Sequence, residues 1–221
     1  MSLILNIETA TKNCSVALAK DGKTISLKNH IEENFSHAEK LHVLIQEVLN
    51  MTGNKLSDLD AFAVSAGPGS YTGLRIGVSS AKGLAYSLDK PLIAIDTLEI
   101  LARQIKINSG CIVPMIDARR MEVFTAAYNA DYGLISATAS HILTEESFKT
   151  LEGQIYFIGD CNTKAKTVLN QNNFIFMNEL MYPSANEMSE LSYFMFLKER
   201  WVDVAYFEPS YHKAFYLPKK Q

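Results

Sequence analysis

Residues 66–77 read Ala66-Gly67-Pro68-Gly69-Ser70-Tyr71-Thr72-Gly73-Leu74-Arg75-Ile76-Gly77 and join a strand-like run to a helical one. Gly67, Pro68 and Gly69 suit a tight turn, and Ser70 suits the N-cap of the helix that follows. Gly73 and Gly77 fall inside that helix, where a glycine costs roughly 1 kcal/mol against alanine. They call for a reason outside it. One reading is a backbone cradle for a phosphate at a helix N-terminus. The other, preferred here, is close approach: Gly73, Gly77, Ala81 and Ala85 stand four apart and give the helix a small face. That face could meet another helix, or the chain's own sheet.

Periodicity places the neighbouring elements. Residues 3–7 read as a buried strand, 14–19 alternate as a strand should, Asp21-Gly22 marks a hairpin turn, and 24–30 supply a third strand. Ser36-His37-Ala38-Glu39 has capping-box spacing, and Leu41, Leu44, Ile45, Val48 and Met51 recur behind it at helical spacing. A strand at 59–65 precedes the helix Tyr71–Leu88, with its stripe of Leu74, Val78, Ala81, Ala85 and Leu88, and Leu92–Ile95 is a further strand. The second half offers strands at Cys111–Asp117, 121–129 and 134–139, and a short helix at 145–151. A strand at Ile155–Gly159 and helices at 162–170 and 186–201 follow. The order β-β-β-α-β-α is thus expected twice, in an α/β protein with domains 1–102 and 103–221.

Composition narrows the function classes. The chain has 221 residues, 48% of them hydrophobic, and a net charge of −3. It can bury a sizeable core but has no basic field for strong RNA binding by itself. No apolar run approaches the ~18 residues of a membrane span. Met1-Ser2-Leu3-Ile4-Leu5-Asn6 lacks the basic and apolar regions of a signal peptide, so a cytoplasmic protein is expected. Cys14, Cys111 and Cys161 are odd in number and far apart, and read as reduced structural thiols. The late aromatics from Phe174 to Phe207 read as core, and Lys219-Lys220 is too short to be a basic arm.

Residues 3–18 (LILNIETATKNCSVAL), 65–99 (SAGPGSYTGLRIGVSSAKGLAYSLDKPLIAIDTLE) and 114–124 (PMIDARRMEVF) together resemble the TsaB family, also called YeaZ. The likeness is dense over residues 1–125, and the GPGSYTGLRIG segment is its specific part. It implies a duplicated ribonuclease H-like fold, the actin-like ATPase fold shared with sugar kinases and heat-shock chaperones. It also implies a paralogue of the catalytic subunit TsaD: a non-catalytic scaffold that binds this threonylcarbamoyl transferase and supports threonylcarbamoyladenosine formation in tRNA. A TsaE-like ATPase would complete the assembly, tRNA would be met only through the complex, and a homodimer would form when the partner is absent.

The same resemblance puts helices 36–51 and 71–88 in the docking bundle, with His37, Leu41, Leu44, Ile45, Val48, Leu74, Arg75, Val78, Ala81 and Ala85 as candidate contacts. Val43 and Leu49 on the first helix, and Ile76 and Leu84 on the second, lie off the main stripes. Helices with more than one apolar side suit docking to another pair. Arg75 has two open roles, as a salt bridge to the partner or as an anchor of the turn.

Catalytic readings find less support. The paralogue's H-x-E-x-H pair is matched here by His37 and His42, five residues apart, which leaves the rings about 140° apart around a helix. No metal site is expected. Ser36 and Ser70 have no identifiable base. In nucleotide-using members of the fold the first β-turn approaches phosphate, which makes Glu8, Thr9 and Asp117 candidates for a vestigial nucleotide cleft. The alternative function is a kinase-like ATPase working through Glu8 and Asp117, or, more remotely, a glycoprotease-like metallopeptidase. Against it, Ile158-Gly159-Asp160 offers a single glycine, and neither G-x-G-x-x-G nor a P-loop is present. No tightly bound cofactor is expected, only weak ATP or ADP contact at a shared interface.

Overall fold

Two five-stranded sheets of matching strand order form the two lobes. The computed structural model describes residues 1–31 and 37–212, so the capping serine Ser36 and the Lys219-Lys220 tail lie outside the described residues. In the first lobe β1 (Leu3–Glu8), β2 (Asn13–Lys20), β3 (Lys23–Ile31), β4 (Ala61–Ser65) and β5 (Leu92–Ile95) stand in the order β3-β2-β1-β4-β5. The first three are antiparallel, while β4 and β5 run parallel to β1. In the second lobe β6 (Cys111–Asp117), β7 (Glu122–Asn129), β8 (Leu134–Ile142), β9 (Ile155–Gly159) and β10 (Phe174–Phe176) repeat this as β10-β9-β6-β7-β8. This is the expected mixed α/β duplication.

The helices follow it less closely. α1 (His37–Thr52) and α2 (Tyr71–Leu88) cover one face of the first sheet, burying Leu41, Leu44, Ile45, Val48, Val78, Ala81 and Ala85 against Leu5, Ile7, Val16, Phe62 and Val64. Full burial of each Leu, Ile or Val among them is worth about 1.5–3 kcal/mol. Met51, expected in the stripe, is exposed, and Leu49 is buried in its place. Among the described residues the second lobe has no counterpart of α1. Residues 145–151 form turns, because Phe148 adopts φ +65° and stacks edge-on against Phe157 in that lobe's core. The helix expected over 162–170 is only α4 (Asn162–Ala165), which tightens at once into turns. Among the elements that escaped the pattern are β10 and α3 (Thr97–Ala102), whose N-cap Asp96 accepts from the Leu98 and Glu99 N–H groups.

The final helix, α5 (Met188–Leu197), is shorter than 186–201 and crosses back to the first lobe. Ala185, Met188 and Leu191 pack with Ile4, Ala17, Ala61, Ala63, Ile93 and Ile95 on the face opposite α1 and α2. Residues 202–212 then run on as a strap: Val202, Val204 and Phe207 reach the α1–α2 core, and the Ser210 N–H donates to the Ala66 carbonyl at 2.7 Å. The late aromatics divide accordingly. Phe174 and Phe176 flank Phe157 in the second lobe, Tyr193 and Phe196 of α5 pack against the first sheet's core, and Tyr206 is exposed. A boundary after residue 102 separates the sheets but not their covering layers. No helix among the described residues is long and apolar enough to cross a membrane.

Met188→Ala is expected to destabilise the protein by about 2–5 kcal/mol. Amide exchange should accelerate first in β1 and β4, and acceleration confined to β6 and β9 would contradict this placement of α5.

Candidate functional site

The glycine segment meets the turn between β1 and β2. A Cβ at Gly73 would overlap the Thr9 carbonyl oxygen, and one at Gly77 would overlap Thr9 Oγ1. Thr9 Oγ1 donates to the Gly73 carbonyl at 2.8 Å, and the Ser70 N–H donates to the Ala10 carbonyl at 2.7 Å. Ser70 caps the helix as expected, accepting from the Gly73 N–H. From the other side His37 Nε2 reaches the Thr11 carbonyl at 2.7 Å. The close-approach reading therefore holds, but the neighbour is the chain's own β-turn rather than another helix. At Gly67 the φ of +101° favours glycine, and a Cβ there would strike the carbonyl of Ser210 in the strap. Gly67, Pro68 and Gly69 form the turn that feeds α2. The Ser70 and Gly73 amides, two of those that could face a phosphate, are already engaged within the chain.

This packing corrects the candidate interface. His37, Leu41, Leu44, Ile45, Val48, Leu74, Val78, Ala81 and Ala85 are all buried within this chain, and of the ten only Arg75 is exposed. Helical periodicity marks a buried face without saying what buries it, and here the sheet does. Leu49 belongs to the same core, whereas Val43 is 51% exposed. The outward face of the pair carries Ala38, His42, Val43 and Gln46 on α1 and Thr72, Arg75, Ser79, Gly83 and Tyr86 on α2. His42 Nε2 and Ser80 Oγ, 3.3 Å apart, link the helices along it. His37 and His42 thus point to different sides, as their spacing requires. Burial also lowers the pKa of His37.

The two candidate cleft acids differ. Glu8 is fully buried: Oε1 accepts from the Ala10 N–H at 2.6 Å, while Oε2 has no hydrogen-bond partner among the described residues. Burial pushes its carboxyl up to about 8, with the Ala10 N–H and the nearby Ser65 hydroxyl pulling the other way. Thr9 beside it is also buried. Asp117 is half-exposed and paired with Lys164, whose Nζ also donates to the Arg120 and Glu122 carbonyls. No hydrogen bond or ion pair among the described residues joins Glu8 to Asp117. The alternative in which these acids work together across a cleft gains no support from this geometry: Glu8 is enclosed and Asp117 is paired with a lysine. Among the described residues no group of three or more His, Cys, Asp or Glu side chains could hold a metal ion.

Comparison with known proteins bears on the same segment. Residues 32–193 match the family model TsaD, tRNA N6-adenosine threonylcarbamoyltransferase. The tRNA threonylcarbamoyladenosine biosynthesis protein TsaB of Escherichia coli is 32% identical, over 94% of this chain and 93% of that protein. The chain belongs to the TsaB family. The match to the TsaD model makes it a paralogue of the transferase. The solved structure of YeaZ from Pseudomonas aeruginosa superposes on this TsaB-family chain with a TM-score of 0.84, at 26% identity, covering 96% of this chain and all of that one. The ethanolamine utilization protein EutJ of Carboxydothermus hydrogenoformans shares the fold, with a TM-score of 0.55 at 10% identity over 87% of this chain and 90% of that one.

Two substitutions test the site. Gly73→Ala, which stabilises an isolated helix, is expected here to destabilise by about 1–3 kcal/mol through overlap with Thr9. Glu8 has a folded pKa above its unfolded value, so its contribution to stability is complete below about pH 4.5 and is lost as pH rises through about 8. Glu8→Gln should flatten that dependence, at about 1.4 kcal/mol per pH unit. Its urea midpoint should exceed the wild type's at alkaline pH and converge with it in acid, and parallel pH profiles would mean the carboxyl ionises normally.

Proposed function

We propose that this chain is a non-catalytic scaffold subunit in the formation of threonylcarbamoyladenosine in tRNA. It binds a TsaD-like catalytic subunit through the outer faces of α1 and α2, and a TsaE-like ATPase joins the assembly. The chain meets tRNA only through the complex and pairs with itself when the partner is absent. ATP or ADP makes at most weak contact at a shared interface. Docking acts by population shift, favouring the conformation of the partner that is competent for transfer.

The observation that carries this reading is Gly83. Three glycines lie in α2, and Gly73 and Gly77 are required by Thr9. Gly83 is exposed with nothing within 4 Å of an added Cβ, so its own fold does not require it. An exposed glycine in a helix interior sacrifices roughly 0.5–1 kcal/mol against alanine. A second helix lying close against this side gives that loss a purpose, since small residues allow backbones to approach. Ser79 and Thr72 are also small and exposed on α2, and Val43 is an exposed apolar side chain on α1. The engaged amides at the start of α2 and the enclosed Glu8 support a non-catalytic role.

Gly83→Ala should raise stability by about 0.5–1 kcal/mol. Gly83→Leu and Val43→Asp should leave the circular dichroism spectrum intact while abolishing co-purification with the TsaD-like subunit. Modified nucleoside in digested tRNA should fall in the same strains. Normal assembly and modification with both folded variants would refute the docking face.

A further inference from the structure

α2 carries two charged residues, Arg75 and Lys82, both cationic. Lys82 is engaged by the strap, its Nζ donating to the Ala205 carbonyl at 3.2 Å and the Phe207 carbonyl at 2.9 Å. Arg75 is exposed, and no carboxylate among the described residues pairs with it. It is nevertheless held in place. Its guanidinium carbon lies 4.1 Å from the centroid of the Tyr71 ring, and Nε donates to the Tyr211 hydroxyl at 3.4 Å. The Tyr211 ring in turn sits 4.7 Å from that of Tyr71. Tyr71 is one helical turn before Arg75, whereas Tyr211 arrives from the strap, 136 residues later.

The chemistry of this arrangement is specific. A loose surface arginine surrenders rotamer freedom when it binds. Two rings and a hydroxyl restrict Arg75 beforehand, which lowers that cost. Only Nε is engaged among the described residues, so the two terminal nitrogens remain available. Terminal guanidinium nitrogens are the groups that form a fork with a carboxylate. Arg75 also shares an exposed strip with Ser79 and Gly83, each four residues further along α2.

We propose that Arg75 is the charge-reading residue of the docking face, receiving a carboxylate side chain of the protein partner, with Tyr211 as its positioning residue. The proposal rests on the docking reading above and adds the partner's chemistry to it. An RNA phosphate is the competing anion, but phosphate recognition draws on several cations at once. Among the described residues, Lys82 is bound to the strap and Arg75 is the other charged residue of α2, on a chain of net charge −3.

The test is calorimetric titration of the purified TsaD-like subunit into this chain at low and moderate salt, with Gly83→Leu as the docking control. Arg75→Glu should weaken binding by about tenfold or more and flatten its salt dependence. Arg75→Lys should fall between, since an ammonium cannot form the fork. Tyr211→Ala should weaken binding while leaving the melting temperature within a degree or two, and Tyr211→Phe should recover most of the loss through ring packing. Wild-type affinity and salt dependence in Arg75→Glu, with Gly83→Leu unable to bind, would overturn the role of Arg75 and leave the docking face standing. Wild-type binding by Gly83→Leu would overturn both. Unchanged partner affinity in Arg75→Glu with lost tRNA binding by the isolated chain would reassign the arginine to phosphate and overturn the proposal.

Discussion

The approach of α2 to the turn after β1 is the constraint on which the first lobe depends. Helix and turn are joined by hydrogen bonds from Thr9 Oγ1 to the Gly73 carbonyl and from the Ser70 N–H to the Ala10 carbonyl. Thr9 could not lie that close to the helix if Gly73 or Gly77 carried a side chain. Once the helix is seated, its stripe of Val78, Ala81 and Ala85 lies on the sheet, and Glu8 is enclosed beneath the turn. A polar turn that might have faced an anion becomes part of the packed interior. The glycine signature is therefore first a packing device, and its bearing on function is indirect.

The second lobe repeats the strands without this arrangement. Its corresponding turn, after β6, has no long helix over it, and residues 145–151 make turns where the first lobe has α1. Asp117 stays half-exposed and is neutralised by Lys164, which also gathers the Arg120 and Glu122 carbonyls. Equivalent positions in the duplicated halves thus hold carboxylates of opposite character, one dry and raised in pKa, the other wet and paired. The helical layer of the first lobe leaves an outward face of small and polar residues, and that asymmetry suits a molecule that presents one surface to a partner.

Much of the first lobe was legible because its signals are local. Alternation in β2, the Asp21-Gly22 turn, the apolar stripe of α2 and the Ser70 cap each depend on neighbours a few residues away. The candidate interface failed for a physical reason: a stripe such as Leu41, Leu44, Ile45 and Val48 reports a buried face but not the identity of its cover. Asp96 ahead of Thr97–Ala102 was a readable cap, obscured by the brevity of the helix. The turns at 145–151 depend on the positive φ of Phe148, which nothing local demands. Gly83 stood in plain view, yet it gained meaning only when the other two glycines of α2 had been accounted for. The destination of α5 could not be read at all, since its apolar residues would suit either sheet.

That destination has a consequence for biosynthesis. The face of the first sheet formed by Ile4, Ala61, Ala63, Ile93 and Ile95 is covered by Met188 and Leu191, which emerge from the ribosome only after the whole second sheet. The N-terminal lobe cannot be completed in the order in which it is translated, and a greasy surface stays wet while roughly a hundred further residues are added at about 5–20 per second. Nascent chains of this protein therefore offer chaperones a binding window lasting several seconds, which closes when the α5 segment clears the exit tunnel.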